Sequence, residues 1–291
     1  MKTKQSYFRL FFIILLLLLT SCGSEATPIP PNVSPLAILS KSTALPEPTF
    51  LPTPTSVPAP TVLPPHVVIL DPGHGGIDWG TFHTNASGKV DVREKDVVLS
   101  LAFQTAEILR AKGYTVVLTR EKDELANFPA KDWNKDGEID EFDDLISRIM
   151  IANEAKGELF LSLHNNSNAL KNQVSGIESW YCLDRPFGKQ SQAFAYLIQK
   201  ETLASLKANG YNAPSRRVAD DLGLTGDGKH ISVLGPTNNV RSVATQMPGM
   251  LAETLFISND EEARLLANPQ ILKAIAQGYA RAIDSFFHPT S

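Results

Sequence analysis

Four side chains in the second part of the chain have the types that a zinc hydrolase needs. His74 follows an apolar run in VVILDPGHGG, Glu94 opens a helical pattern, His164 follows the apolar run of LFLSLHNNS, and Glu253 lies within MLAETLF. Zinc takes imidazole nitrogen and carboxylate oxygen in tetrahedral geometry and leaves one position for water. We therefore predict one catalytic Zn²⁺ held by His74, Glu94 and His164. Glu253 would accept the proton of the attacking water and pass it to the leaving amine.

Taken singly, most of these residues have an ordinary interpretation. His74 fits a glycine-flanked turn, and Glu94 fits the first turn of a helix, where the backbone dipole favours a carboxylate. Glu253 is the least ordinary, because a carboxylate within an apolar strand is costly to bury unless it has a charge partner, a metal or a proton to manage.

The hydrophobic pattern places these residues at the ends of strands and helices. Apolar runs broken by Gly, Pro and Asn alternate with segments of helical period, which indicates an α/β domain. Because buried parallel strands present their carboxyl ends at one edge of a sheet, we expect His74 and His164 to meet there. The predicted strands span residues 67–70, 114–118, 159–163, 176–183 and 250–256, and the main predicted helices span 94–113, 141–155 and 190–206, with a last helix after Asn268-Pro269.

Two stretches lack this pattern. Residues 82–92 are interpreted as a polar loop, and residues 211–246 as a loop region over one edge of the sheet with one short strand at 231–234.

An acidic stretch, DWNKDGEIDEFD at residues 132–143, matches the spacing of a twelve-residue calcium loop. Gly137 permits the sharp turn that such a loop requires. The last position departs from the usual pattern by being aspartate, and the alternative is an acidic turn that caps the following helix. The sequence predicts a structural Ca²⁺ site whose ligands are Asp132, Asn134, Asp136, Glu138 and Asp143.

The first 65 residues differ in composition from the rest. Basic residues precede an apolar run at 10–19, and LTSC ends on Cys22, a pattern that resembles the bacterial lipoprotein signal. We predict a signal peptide at 1–21, a lipidated Cys22, and a disordered Pro/Thr/Ser-rich tether over 22–65. The domain would then be anchored to the outer face of the membrane in the cell envelope. A secretory signal cut elsewhere, or an uncleaved anchor, would also export the domain.

Charge and cysteine content limit the other possibilities. The formal net charge is −4, and no basic stripe with interleaved aromatic residues is present, so we expect no nucleic-acid partner. Beyond Cys22 the sequence has one cysteine, Cys182, which cannot form an internal disulfide and is interpreted as a small apolar strand residue. We expect a monomer.

Five motifs in order resemble the zinc-dependent N-acetylmuramoyl-L-alanine amidases of the type 3 family: VVILDPGHGGID, REKDVVLSLA, LSLHNNS, SGIESWY and LAETLFISNDEEARLL. The resemblance covers residues 66–287 and implies a catalytic domain over 66–291 with a mixed six-stranded sheet wrapped by helices. It implies peptidoglycan as substrate, with cleavage of the amide between muramic acid and the L-alanine of the stem peptide. The family's metal ligands match His74, Glu94 and His164, and its catalytic glutamate matches Glu253.

The sequence also departs from the family at several places. Trp79 stands where proline is common, and residues 132–143 look like an insertion. Two other functions stay open: a catalytically silent wall-binding lipoprotein that keeps the fold, and a zinc peptidase that cuts the stem peptide.

Overall fold

The computed structural model describes residues 65–225, 229–238 and 241–289. The predicted signal peptide, Cys22 and nearly all of the tether lie outside these residues. Within the described ranges, no helix combines the length and apolar character needed to cross a membrane.

A mixed six-stranded sheet forms the centre of the domain, in the strand order β4-β1-β5-β8-β6-β7. Short runs of β-branched and leucine residues, such as VVIL, form its central strands because their side chains pack well on both faces of a covered sheet. The strands are β1 Val67–Pro72, β4 Thr115–Leu118, β5 Leu159–Asn166, β6 Ile177–Tyr181, β7 Ser215–Asp220 and β8 Gly249–Phe256, and a separate hairpin pairs β2 Phe82–Thr84 with β3 Val90–Arg93.

Helices and loops cover both faces of this sheet. Alternate residues of β1 show the division, since Val68 and Leu70 pack in one core cluster and Ile69 in the other. The helices are α1 Glu94–Ala111, α2 Glu141–Glu154, α3 Gly188–Ala208, α4 Leu222–Thr225, α5 Asp260–Leu266 and α6 Pro269–Phe287. The first cluster contains side chains of α1, α3 and α6, whereas the second contains those of α2 and of the segment from Ile231 to Met247.

The six strands of the sheet run in two opposite directions. β4, β1, β5 and β8 are parallel, β6 is antiparallel to β8, and β7 is parallel to β6. The carboxyl ends of β1, β5 and β8 therefore lie at one end of the strands, called here the first edge. The carboxyl ends of β6 and β7 lie at the opposite end, called the second edge.

The predicted α/β fold with a mixed six-stranded sheet is confirmed, with differences in detail. The loop predicted at 82–92 contains the β2-β3 hairpin, and the strand predicted at 231–234 is wrong, because the Leu234 amide donates to the carbonyl of Ile231 at 3.0 Å and closes a turn. The sequence pattern did not predict β7. This strand is the outermost one on its side of the sheet and is largely exposed, so its sequence, SRRVAD, lacks an apolar run.

Candidate metal centre

The loop after β1 holds His74 in an unusual backbone conformation. Its φ is 60°, and Gly75 and Gly76 follow with φ of 134° and 56°. A left-handed conformation is unfavourable for a residue with a Cβ, and such strain is concentrated at functional sites. The loop therefore directs the imidazole towards the carboxyl end of β5 at a local energetic cost.

Glu94 is the buried centre of the cluster. As the first residue of α1 it is 3% exposed, and its Oε1 lies 3.2 Å from His74 Nε2 and 3.0 Å from His164 Nδ1. Backbone amides fix the carboxylate, because Asn165 N donates to Oε1 at 3.0 Å and Thr81 N donates to Oε2 at 2.9 Å. The structure thus brings together the three residues that the sequence predicts as metal ligands.

Asp78 sets the orientation of the His74 ring. Its Oδ2 lies 2.7 Å from His74 Nδ1, so Nδ1 carries a proton, and Nε2 is the ring nitrogen that faces Glu94 and would bind a metal ion. A carboxylate behind a histidine ligand fixes the tautomer and raises the basicity of the ligating nitrogen.

The geometry and donor set fit a zinc ion. The three ligand atoms all lie within 4.8 Å of one another. In tetrahedral coordination, two nitrogen or oxygen ligands at about 2.05 Å from zinc are about 3.3 Å apart, within a few tenths of an ångström of the distances found here. Two imidazoles and one carboxylate also form a common ligand set of catalytic zinc.

Two glycines provide the space for these side chains. A Cβ on Gly73 would lie 2.2 Å from the His164 ring, and a Cβ on Gly80 would lie 2.5 Å from Glu94 Oε2 and 2.6 Å from the His74 ring. Any larger residue at either position would displace a ligand.

Charge–charge interactions inside the cluster shift its pKa values. Burial alone would raise the pKa of Glu94, but the two histidines hold it well below its usual range. Burial alone would lower the pKa of His74, and the contacts with Glu94 and then Asp78 outweigh this effect and raise it. Glu94 is therefore ionised at neutral pH, as a metal ligand must be.

Glu253 lies beside this cluster with a carboxyl oxygen that lacks a partner. In the sheet register it is opposite His164 on β5 and Glu178 on β6. Its Oε2 is buried and accepts no hydrogen bond. Burial, followed by the negative charges of Glu94 and Glu178, raises the pKa of Glu253 well above its usual value. Unpartnered buried carboxyls of this kind mark acid–base sites.

Two buried arginines, which sequence reasoning missed, hold the His74 loop from behind. Arg148 Nη2 donates to the carbonyl of His74 at 2.7 Å, and its Nη1 and Nε pair with Asp71 and Asp144, each at 2.8 Å. Arg120 donates to the carbonyls of Pro72 and Gly73 at 3.0 and 2.9 Å. The strained loop is thus fixed by side chains that lie on other elements.

A groove of about 510 Å³ opens from the histidines across the α2 side of the sheet. Among the residues that line it are His74, His164, Ile139, Asp140, Ile231 and Val233. The centre is therefore accessible to an extended substrate, and the 132–143 segment forms part of the groove wall.

The acidic stretch at 132–143 does not form a convergent ligand cluster. Asp132 accepts from the amides of Lys135 and Gly137 at 2.6 and 3.0 Å. Asp143 accepts from the amides of Trp133 and Asp140 at 2.6 and 3.1 Å, in a capping box with Asp140 at the start of α2. Among the described residues, no group of three His, Cys, Asp or Glu donors that could hold a metal includes this stretch. The calcium site receives no support from this geometry and stays a prediction.

The other predicted calcium ligands do not converge on one point either. Asn134 Nδ2 donates to Asp136 Oδ2 at 2.8 Å, and the backbone amide of Glu138 donates to Asp136 Oδ1 at 2.9 Å. The stretch therefore acts in this structure as the helix-capping turn that was the alternative interpretation.

Comparison with known proteins agrees with this fold and site. Residues 68–285 match the family described as N-acetylmuramoyl-L-alanine amidase. The N-acetylmuramoyl-L-alanine amidase AmiA of Escherichia coli is 31% identical over 245 residues, which are 76% of this chain and 76% of that protein. The germination-specific N-acetylmuramoyl-L-alanine amidase of Bacillus subtilis is 31% identical over 225 residues, which are 76% of this chain and 79% of that protein.

A solved structure gives the same result. The catalytic domain of CwlV, an N-acetylmuramoyl-L-alanine amidase from Bacillus (Paenibacillus) polymyxa var. colistinus, is 26% identical with a TM-score of 0.55, and the match covers 77% of this chain and 99% of that one. On the matched residues, the sheet and the convergent site together, this chain belongs to the N-acetylmuramoyl-L-alanine amidase family.

Proposed function

We propose that this chain is a zinc-dependent peptidoglycan amidase that cleaves the amide between N-acetylmuramic acid and the L-alanine of the stem peptide. The observation that carries the proposal is the convergence of His74, Glu94 and His164 beside the unpartnered Oε2 of Glu253, with the two histidines in the lining of an open groove. A zinc ion held by these three residues would polarise the scissile carbonyl and acidify a water molecule.

Glu253 would move the proton in this reaction. Its Oε2 takes a proton from the attacking water and delivers it to the nitrogen of the leaving L-alanine. Burial, followed by the negative charges of Glu94 and Glu178, raises the pKa of Glu253, so this carboxyl retains the proton that it takes from the water until it delivers that proton to the leaving amine.

Glu178 is kept from the same role by its own partners. Its Oε1 accepts from Arg216 Nε at 2.7 Å, and its Oε2 accepts from Asn166 Nδ2 at 3.1 Å. Although Glu178 and Glu253 are direct cross-strand neighbours, only Glu253 has a free oxygen to exchange a proton.

The cellular setting is proposed from the amino-terminal sequence. A lipid on Cys22 and the proline-rich segment up to residue 65 would hold the domain at the membrane and let it reach peptidoglycan in the cell envelope. At about 3.1 Å per residue for polyproline geometry, such a tether spans on the order of 100 Å.

Mass spectrometry of a digest of purified peptidoglycan tests the bond that is cut. The zinc-loaded protein is expected to release intact stem peptides whose L-alanine carries a new amino group. Fragments cut within the stem peptide would instead identify a peptidase. No product from zinc-loaded protein that sediments with the peptidoglycan would identify a silent wall-binding protein.

A further inference from the structure

The second edge of the sheet carries another group of metal-ligating side chains. Cys182 directly follows β6 and Asp221 directly follows β7, so two neighbouring parallel strands deliver them to the same place. His230 Nδ1 lies 3.3 Å from Cys182 Sγ and 2.7 Å from Asp221 Oδ1. Within the described ranges, only this group and the first-edge cluster bring three such donors within 4.8 Å of one another.

The surrounding contacts orient these donors towards one point. His230 Nδ1 lies 2.7 Å from Asp221 Oδ1 and therefore carries a proton towards that carboxylate. A bound zinc ion would displace this proton, and Asp184 Oδ2, which lies 3.3 Å from Nε2, would then favour the proton on Nε2. The amide of Ile231 donates to Asp221 Oδ2 at 2.9 Å and leaves Oδ1 on the side of the cluster. Asp184 lies beside the outer ring nitrogen of His230, as Asp78 lies beside the outer ring nitrogen of His74.

A cysteine-protease type of nucleophile does not fit this arrangement. Such a site needs the thiol on one imidazole nitrogen and the carboxylate on the other. Here Cys182 and the buried Asp221 both approach Nδ1. Burial, followed by the charge of Asp221, also raises the pKa of the Cys182 thiol to about 12, so the thiol is not activated for attack.

We propose that Cys182, Asp221 and His230 bind one zinc ion that stabilises the fold, with a water molecule as its fourth ligand. Asp221 is 0% exposed, so its negative charge needs a partner. A divalent cation bound to the Cys182 thiolate and the Asp221 carboxylate would be neutralised by them and would compensate this buried charge. Sulfur and imidazole ligands select zinc over magnesium or calcium. A tetrahedral zinc ion places sulfur and nitrogen about 3.6 Å apart, and nitrogen and oxygen about 3.3 Å apart, so the site needs to expand by only a few tenths of an ångström to about 0.6 Å.

The ion would fasten the loop that forms one wall of the groove. His230 is next to Ile231, which lines the groove together with Ser232 and Val233. Cys182 and Asp221 lie on the ends of β6 and β7, so the ion would cross-link this loop to the sheet. The site would therefore stabilise the substrate groove from the edge opposite the first cluster.

Cobalt substitution of the full chain tests this proposal. The protein has two cysteines, Cys22 and Cys182, so Cys22→Ser serves as the parent in which Cys182 is the one thiol. Cobalt-loaded parent is expected to show sulfur-to-cobalt charge-transfer absorption in the near ultraviolet, because the first-edge cluster contains no sulfur. The band is expected to persist in His164→Ala and to disappear in Cys182→Ser.

Zinc analysis of the same proteins gives the second readout. The parent is expected to bind two zinc ions, and His164→Ala and Cys182→Ser one each. A parent that is folded by circular dichroism, binds one zinc ion and shows no sulfur-to-cobalt band would overturn the proposal. This result does not depend on whether any variant folds.

Discussion

The two edges of the sheet carry clusters of similar plan with different surroundings. In each, a histidine has one ring nitrogen beside an exposed aspartate and the other beside a buried acid: Asp78 and Glu94 around His74, and Asp184 and Asp221 around His230. At the first edge the cluster also has a second histidine, an open groove and the spare carboxyl of Glu253.

The second edge has a buried thiol in place of these features. In the described residues around it, no equivalent of the Glu253 oxygen is present, since the remaining buried side-chain polar atoms without a partner do not belong to acidic residues. Each cluster offers three donors, so the number of donors does not distinguish the two roles that we propose for them. A free proton carrier and access for the substrate do.

The arginines behind each edge differ in the same way. Arg148 is held by two buried carboxylates, and its pKa is raised by Asp71 and Asp144 in spite of burial. At the second edge, Arg185 donates to the carbonyls of Leu234 and Gly235 at 2.9 and 2.8 Å, and burial lowers its pKa. The loop of the first edge is therefore fixed by compensated charge and that of the second edge by hydrogen bonds to backbone.

Removing one histidine from each edge should separate the two roles most strongly. His164→Ala is expected to abolish zinc binding at the first edge and to lower kcat/KM by about 10³-fold or more, because a metal ion supplies several kcal/mol of charge stabilisation. His230→Ala is expected to retain kcat within about tenfold and to lower Tm. Zinc analysis with steady-state kinetics measures both, and equal losses of kcat in the two variants would contradict the division.

Breaking the buried ion pair behind the His74 loop should destabilise the fold. Asp71→Asn leaves Asp144 as the one carboxylate paired with the buried Arg148, and we expect a loss of about 3 kcal/mol in the free energy of unfolding, at the low end of the range for a broken buried pair. The control is Asp96→Asn, which removes an exposed pair with Arg93 at 3.6 Å and is expected to cost at most about 1 kcal/mol. Urea unfolding measures both, and similar losses would contradict the role assigned to the buried pair.

A glycine pair tests whether the first edge depends on close approach. Gly80→Ala places a Cβ against Glu94 and His74, whereas Gly88 has a similar positive φ with nothing within 4 Å of the added Cβ. We expect Gly80→Ala to weaken zinc binding about 10- to 100-fold, as loss of ligand orientation does elsewhere. Gly88→Ala should cost on the order of 1 kcal/mol in stability and leave zinc affinity unchanged. Competition with a chelator provides the measurement, and equal zinc affinities would contradict the steric argument.

Acid should act on the first edge through Asp71. Burial would raise the pKa of Asp71, but Arg148, Thr119 and Ser162 outweigh it and lower the pKa below its ordinary value. A depressed carboxyl pKa stabilises the folded state above the unfolded pKa of about 3.9, and this contribution is lost as pH falls through the folded value. Unfolding free energy is therefore expected to drop below about pH 4 in the parent and to drop less steeply in Asp71→Asn. Equal slopes in urea unfolding at several pH values would contradict this assignment.

The sequence indicated which side chains meet at the first edge, because the ends of buried strands give local signals. Apolar runs that stop at His74 and His164, and a carboxylate at Glu253 within another run, are local signals, and the parallel direction of β1 and β5 brings the two histidines together. The sequence gives no such signal for Arg148, because an arginine within a helical pattern is usually exposed, and only the fold shows that this one is buried.

The second edge could not be predicted for a different reason. Its members are far apart in sequence, since Cys182 and His230 are separated by 48 in residue number, and two of them lie in the stretch without a clear pattern. Only the missed strand β7 aligns Asp221 with the end of β6. The sequence around Cys182 is that of an ordinary apolar strand residue, and only the fold brings Asp221 and His230 next to it.

We propose that the first edge performs its chemistry through the free carboxyl of Glu253. The most direct measurement is the turnover of peptidoglycan by zinc-loaded Glu253→Gln, with Glu261→Gln as the control because Glu261 is an exposed residue of α5. We expect Glu253→Gln to keep its first-edge zinc and to lose about 10²- to 10⁴-fold in kcat, and Glu261→Gln to remain as active as the parent. A zinc-loaded Glu253→Gln enzyme with parental kcat would contradict the account.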